Sequence, residues 1–305
     1  MKRALMIVLM LTTSLTVHAD THIGRAAYRR GDFATALRES RAAAAKGDPK
    51  AEATLGIIYY NGKGVPQDYA KAAKWYHLAA QQGDVDAQII LFTMYNSGQG
   101  VPQDHVKALK YLRLAAQSGS PDAQVNLGAI YVNGKIVPQD YAEAVKWFRL
   151  AALQGDADAE DNLGIMYKLG KGVPQDYTEA VRWFRLAAQH GNLAAQFGLG
   201  TMYDSGQGVP QNNAKALKWY RLAAQRGSAD AQGNLGIMYA TGQGIARNYI
   251  KAYKWFELAK ASFDLGSDDY RKADAAASML AAQMTPSQIA QAKQEASVWR
   301  ATRKG

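Results

Sequence analysis

Apolar residues recur along this chain at helical spacing, in runs broken by glycine-containing turns. In the segment AQVNLGAIYVNG, Ala123, Leu127, Ile130 and Tyr131 fall on one helical stripe, and Gly134 stops it. Val137 and Pro138 form a turn. Asp140 then suits an N-cap, with Glu143 three residues on in a capping-box-like arrangement. A second helix carries Ala144, Trp147, Phe148, Ala151 and Ala152 on one face, and Gly155 suits its left-handed end. Asp156 and Asp158 offer caps for the helix that follows.

This two-helix pattern repeats. The stretch GKGVPQDYAKAAKWY, which starts at Gly62, returns in related form from Gly98, Gly134, Gly170, Gly206 and Gly242, at a spacing of 36 residues each time. Six units therefore begin at Ala51, Ala87, Ala123, Ala159, Ala195 and Ala231 and fill residues 51–262. Glycines flanking a lysine before a helix are parts of a phosphate-binding loop. Such a loop is singular and follows a strand, whereas here Lys63 becomes Gln99 and Ile136 replaces a second glycine. The loop is punctuation between helices. Gly56, Gly128, Gly164, Gly200 and Gly236 fall in mid-helix, where glycine costs roughly 1 kcal/mol against alanine, so the second helix is expected to back closely onto the first there. Trp75, Trp147, Trp183, Trp219 and Trp255 recur likewise and are expected in the core between successive units.

The pattern Ala-x3-Leu-Gly-x2-Tyr, then Gly-x-Gly-Val-Pro, then Ala-x2-Trp-aromatic-x2-Ala-Ala resembles the Sel-one-like repeat (SLR) family, a relative of tetratricopeptide repeats. The resemblance implies an all-α fold, a right-handed superhelical solenoid of antiparallel helix pairs with a concave ligand face. It also implies a role in protein–protein assembly, often in the bacterial envelope. Some disulfide-rich members bind or hydrolyse β-lactams, but this chain lacks both their cysteines and a Ser-x-x-Lys motif, so that activity is not carried over. Residues 20–50 read as an N-terminal helical cap or degenerate repeat, turning at Gly31 and Asp32. Residues 263–305 read as a C-terminal helical cap. In it Ser267 caps a helix running to Met284. Thr285, Pro286 and Gln288 then start a last one, which sets Ile289, Ala292, Ala296 and Trp299 on one face to cover the final repeat.

Composition adds a compartment. Lys2 and Arg3, an apolar run to Val17 and the small residues before Asp20 form a secretory signal peptide over residues 1–19, cut after Ala19. The mature chain then has no transmembrane segment and belongs in the periplasm or outside the cell. Cleavage removes two basic charges and lowers the formal net charge from +10 to +8. That balance suits acidic proteins, anionic glycans or lipid surfaces, and export excludes nucleic acid as a partner. With no cysteine, the chain has neither disulfides nor thiolate chemistry.

No catalytic constellation is evident. The chain lacks Gly-x-Ser-x-Gly and His-Glu-x-x-His, and His22, His77, His105 and His190 occupy unlike repeat positions, as surface residues would. No metal or cofactor is expected, and the paired acids suit helix starts. Two features point to binding. Lys74, Lys110, Lys146, Arg182, Lys218 and Lys254 share one repeat position, and His77, Arg113, Arg149, Arg185, Arg221 and Glu257 share the position three residues on. Together they make a basic stripe, read first as a solvated outer face. The second feature follows from the resemblance, because tetratricopeptide-like grooves are lined by the residues before the consensus Leu and after the consensus Tyr. Those positions supply Asn126, Asn162 and Asn234, with Tyr60, Lys168 and Asp204, as candidates for holding an extended peptide, the alternative for the asparagines being a local bond to the preceding turn. A scaffold binding a protein or peptide in an envelope complex is the reading preferred. A cell-wall-acting enzyme and a glycan- or lipid-surface module are its alternatives.

Overall fold

A computed structural model describes residues 23–302, so the signal peptide expected over 1–19 and His22 lie outside the described residues. Among those residues every regular element is a helix. A helical segment at 23–29 precedes α1 (Phe33–Ala44), the turn between them being made by Gly31 at φ 82°. The six repeats follow as α2 (Pro49–Asn61), α3 (Tyr69–Gln81), α4 (Val85–Ser97), α5 (His105–Gln117), α6 (Pro121–Asn133) and α7 (Tyr141–Ala152). They continue as α8 (Ala157–Leu169), α9 (Tyr177–Gln189), α10 (Leu193–Ser205), α11 (Asn213–Gln225), α12 (Ala229–Thr241) and α13 (Tyr249–Lys260). Even-numbered helices are the first of each repeat, helix A, and odd-numbered ones are helix B. Two further helices, α14 (Asp268–Ala281) and α15 (Pro286–Ala301), end the chain.

The chain divides between Asp140 and Tyr141 into two compact units. In the first, each helix from α1 to α6 packs on its neighbour in sequence, around Leu55, Ile58, Tyr76, Leu91, Met94 and Leu112. In the second, α7 to α14 pack in the same consecutive way around Phe148, Leu163, Leu199, Met202 and Tyr220. Helix α15 lies on α13, where Trp299 meets Trp255 edge-on at 5.9 Å. Thr285 and Gln288 close the expected capping box at its start, while α14 ends at Ala281, short of Met284.

In the Val-Pro-Gln-Asp turn the glutamine and the aspartate each have a hydrogen-bonding role. Gly62, Gly98, Gly134, Gly170, Gly206 and Gly242 end helix A in the left-handed conformation. The glutamine then caps the last turn of that helix: Gln67 Nε2 donates to the Tyr60 carbonyl at 2.8 Å, and Gln211 does the same to Asp204 at 2.8 Å. The acid or amide after it turns to helix B, as when Asp68 accepts from Lys71 N at 2.8 Å. The second glycine has a different reason. A Cβ on Gly172 would lie 2.3 Å from the Tyr141 carbonyl oxygen, and one on Gly208 would lie 2.1 Å from that of Tyr177. The turn therefore rests on the first residue of the preceding helix B, and only glycine allows it.

The mid-helix glycines and the tryptophans require a correction. Gly56, Gly164, Gly200 and Gly236 face rings, not the backbone of helix B: a Cβ on Gly164 would meet the Phe184 ring at 2.6 Å, and the other three stand likewise against Tyr76, Tyr220 and Phe256. Those rings, one residue after the recurrent tryptophan, are buried. The tryptophans themselves are half-buried, and Trp75, Trp219 and Trp255 pack against the edge of the core. In the second repeat Phe92 takes the glycine's place, and the position opposite becomes Leu112. Ring and gap exchange sides, which conserves volume in a close-packed interior.

Candidate binding faces

The two basic columns separate in the structure. Lys74, Lys110, Lys146, Arg182 and Lys218 are exposed on helix B, as a solvated face requires. Lys146 pairs with Glu143 at 2.7 Å, and Arg182 pairs with Glu179 at 3.0 Å. The neighbouring arginines hold the repeats together. Arg149 donates to the Tyr167 hydroxyl at 2.7 Å, and Arg185 reaches Tyr203 at 3.4 Å. Arg113 reaches Tyr131, Arg221 reaches Tyr239 and Arg41 of α1 reaches Tyr59, at 3.1, 3.0 and 3.0 Å. Each bond spans 18 residues, from one helix B to the next helix A. Half of the sequence-predicted stripe thus bonds across successive repeats, with Arg113, Arg149 and Arg185 remaining exposed.

His77 takes the arginine's place in the first repeat and departs from the surface role expected of it. Its Nε2 lies 2.8 Å from the Tyr95 hydroxyl and its Nδ1 lies 2.8 Å from that of Tyr111, with the two tyrosine rings stacked 5.9 Å apart. Burial, with Lys107 and Lys110 nearby, lowers its pKa below the usual imidazole value. His105 pairs with Asn96 at 3.0 Å and His190 with the buried Glu160 at 2.8 Å. No three metal-ligating side chains converge among the described residues.

The groove candidates fall within both units. In the first, Asn126 is exposed, and the Tyr60 hydroxyl donates to Gln99 at 2.7 Å. In the second, Asn162 donates to the Asp158 carbonyl at 2.8 Å, one turn back on α8, and Lys168 is half-buried on the same helix. Tyr220 brings two candidates together: its hydroxyl lies 3.4 Å from Asp204 Oδ2 and is hydrogen-bonded to Asn234. Gln243 completes the set by donating to Asp204 Oδ1 at 3.0 Å. Burial pushes the Tyr220 phenol well above its ordinary value.

Sequence reasoning missed two buried polar positions. In four repeats a glutamine on helix A donates to the end of the preceding helix B, as Gln124 does to the Ala116 carbonyl at 3.0 Å. Glu52 and Glu160 replace it in the other two and receive Gln82 and His190 instead, both at 2.8 Å. The next residue is Asp161, 8% exposed and without a hydrogen-bond partner among the described residues. Its repeat position holds Ala53, Ile89, Val125, Phe197 and Gly233 elsewhere, so an acid there breaks the pattern. Burial, with Asp158 nearby, raises its carboxyl to about 6. That break in an apolar column was the available signal.

The architecture has close parallels. A Sel1 repeat protein from Oxalobacter formigenes is 31% identical over 82% of this chain and 98% of its own, with a TM-score of 0.68. A protective antigen of uropathogenic Escherichia coli strains, which displays an SLR fold, is 29% identical over 92% of this chain and 68% of its own, with a TM-score of 0.59. No curated protein sequence matches significantly. Among the described residues no helix is long and apolar enough to cross a membrane. The Sel1 repeat model matches six consecutive segments, 49–84, 85–120, 121–156, 157–192, 193–228 and 229–262, and the chain belongs to the Sel1 repeat family.

Proposed function

We propose that this protein is an exported scaffold that holds a segment of a partner protein on the helix-A side of its second unit, within an envelope complex. Sel1 repeats generally serve protein–protein interaction, which supports the scaffold role. The observation that carries the choice of face is Asp161. Asp161 is only 8% exposed and its carboxyl, raised by burial, has no hydrogen bond among the described residues, where five sister positions are apolar or glycine. A partner's N–H or ammonium group supplies what it lacks. The exposed arginines of the basic stripe already bond to tyrosines of the next repeat.

A photo-crosslinking residue placed at Asn162, and separately at Lys218, tests the choice of face in the native envelope. The same partner trapped from 162 and not from 218 is expected, and trapping from 218 alone overturns it. The purified partner is then titrated against Asp161→Asn, with weaker binding expected. Export is tested separately by N-terminal sequencing of the protein from a periplasmic extract, where Asp20 should be the first residue.

A further inference from the structure

One mid-helix glycine has no ring against it. A Cβ at Gly233 of α12 would meet nothing within 4 Å, whereas those at Gly56, Gly164, Gly200 and Gly236 would strike a ring at 2.6 Å. The helix bears glycine's cost of about 1 kcal/mol at Gly233 with no packing reason for it. What glycine leaves open is a cavity of about 180 Å³ between α12 and α14. Its walls include Ile237, Phe256 and Phe263, and its polar groups include Asp230, Asp269 and Lys272.

Size and charge narrow the occupant. The volume is below the roughly 300–1,000 Å³ of small-molecule sites and matches a single side chain better than a metabolite. Lys272 is already paired with Asp269 at 2.9 Å, and Asp230 has no hydrogen-bond or ion-pair partner among the described residues. The mouth of the cavity therefore carries two carboxylates and one ammonium, all three exposed, a net charge of −1. Partial burial and nearby Asp269 both push the Asp230 carboxyl up, which a bound cation would reverse. An aliphatic guest would leave that carboxylate desolvated and unpaired, and an acidic guest would be repelled. A long apolar stem ending in a cation satisfies both the walls and the charge.

We propose that this cavity receives one lysine or arginine side chain of the bound partner segment, its stem against Ile237, Phe256 and Phe263 and its cation on Asp230. The assignment rests on the partner-segment reading above and adds to it the chemistry of one position. The segment is accordingly basic there, although the protein's own net charge is positive.

A random peptide library displayed on phage is selected on the mature protein and on the Asp230→Asn and Gly233→Leu variants, each checked for native helicity and melting. Space around Gly233 lets the leucine fill the cavity without disturbing the helix. Wild type should enrich peptides with lysine or arginine at one fixed position. Asp230→Asn should weaken a selected peptide about tenfold or more, as for a lost charged hydrogen bond, and Gly233→Leu should abolish its binding. Replacing the peptide's basic residue with glutamine should match the Asp230→Asn loss. Selected peptides with no fixed basic position, or ones that bind both variants as well as wild type, overturn the pocket alone. Failure to enrich any peptide overturns the partner-segment reading with it.

Discussion

Arg149 and Tyr167 are joined by a 2.7 Å hydrogen bond from guanidinium to phenol, and they belong to successive repeats. The same link recurs at five places as arginine to tyrosine and once as His77 to Tyr95. A repeat protein is stabilised largely through its nearest-neighbour interfaces, so a bond repeated at each interface acts on the whole array. Arg149→Met and Tyr167→Phe are each expected to cost about 0.5–1.5 kcal/mol in urea denaturation. The double variant should lose less than the sum, with a coupling of similar size. Additive losses would mean that the arginine serves only as a surface cation.

The glycine–ring pairs predict opposite outcomes for one chemical change. Alanine at Gly200 gains up to about 1 kcal/mol of helix propensity. It also forces a Cβ to within 2.6 Å of the Tyr220 ring. Overpacking of this kind costs about 1–3 kcal/mol, so Gly200→Ala should be net destabilising. Gly233→Ala meets open space and should stabilise by up to about 1 kcal/mol. Equal responses in thermal melting would contradict the packing described here.

The same geometry separates Phe184 from Trp183. Phe184→Ala removes a 2%-exposed ring from between helices and should cost about 3–5 kcal/mol. Trp183→Ala should cost less, because that ring is half-buried beneath the Arg182 guanidinium. A larger loss at Trp183 would restore the tryptophan column to the core.

The repeat period, the helix pairs and their caps were legible because glycine, proline and aspartate act locally, within a turn of their own position. The ring that fills each glycine gap was less so. Tyr76 and Trp75 are both large and adjacent, and helical period alone does not say which of them turns inward. The Arg149–Tyr167 bond was legible only as two separate columns, since pairing across repeats depends on how helices are stacked. Asn162 and Asn234 sit where the family resemblance puts a groove, but their bonds to Asp158 and Tyr220 depend on side-chain rotamers. Asp161 was visible as an acid in an apolar column. Its meaning required knowing that nothing bonds to it.

His77 gives a pH test in the first unit. It has a lowered pKa and lies between two phenols, so folding favours its neutral form. As pH falls through the unfolded value of about 6.5, the unfolded chain takes up a proton before the folded one does. Stability should therefore fall on acidification across that range. His77→Gln keeps a donor and an acceptor but cannot titrate, so the difference between wild type and variant should vary with pH only there. A flat difference would exclude the lowered pKa.

Asp161 carries the opposite sign. Its folded carboxyl titrates near 6, above the ordinary value of 3.8, so between those values the folded chain keeps a proton that the unfolded chain has lost. Stability from this group is full below about 4, falls as pH rises through about 6, and is constant above. At neutral pH, Asp161→Asn should be more stable than wild type by roughly 2–3 kcal/mol, with the difference vanishing near pH 4. Binding should move the other way. If the carboxylate accepts from a partner segment, the amide variant gains stability and loses affinity, because strain held at a site is released when the site is disabled. A variant that is more stable and binds its partner as tightly as wild type would leave Asp161 as a misplaced acid. The helix-A side would then lose the observation that singles it out.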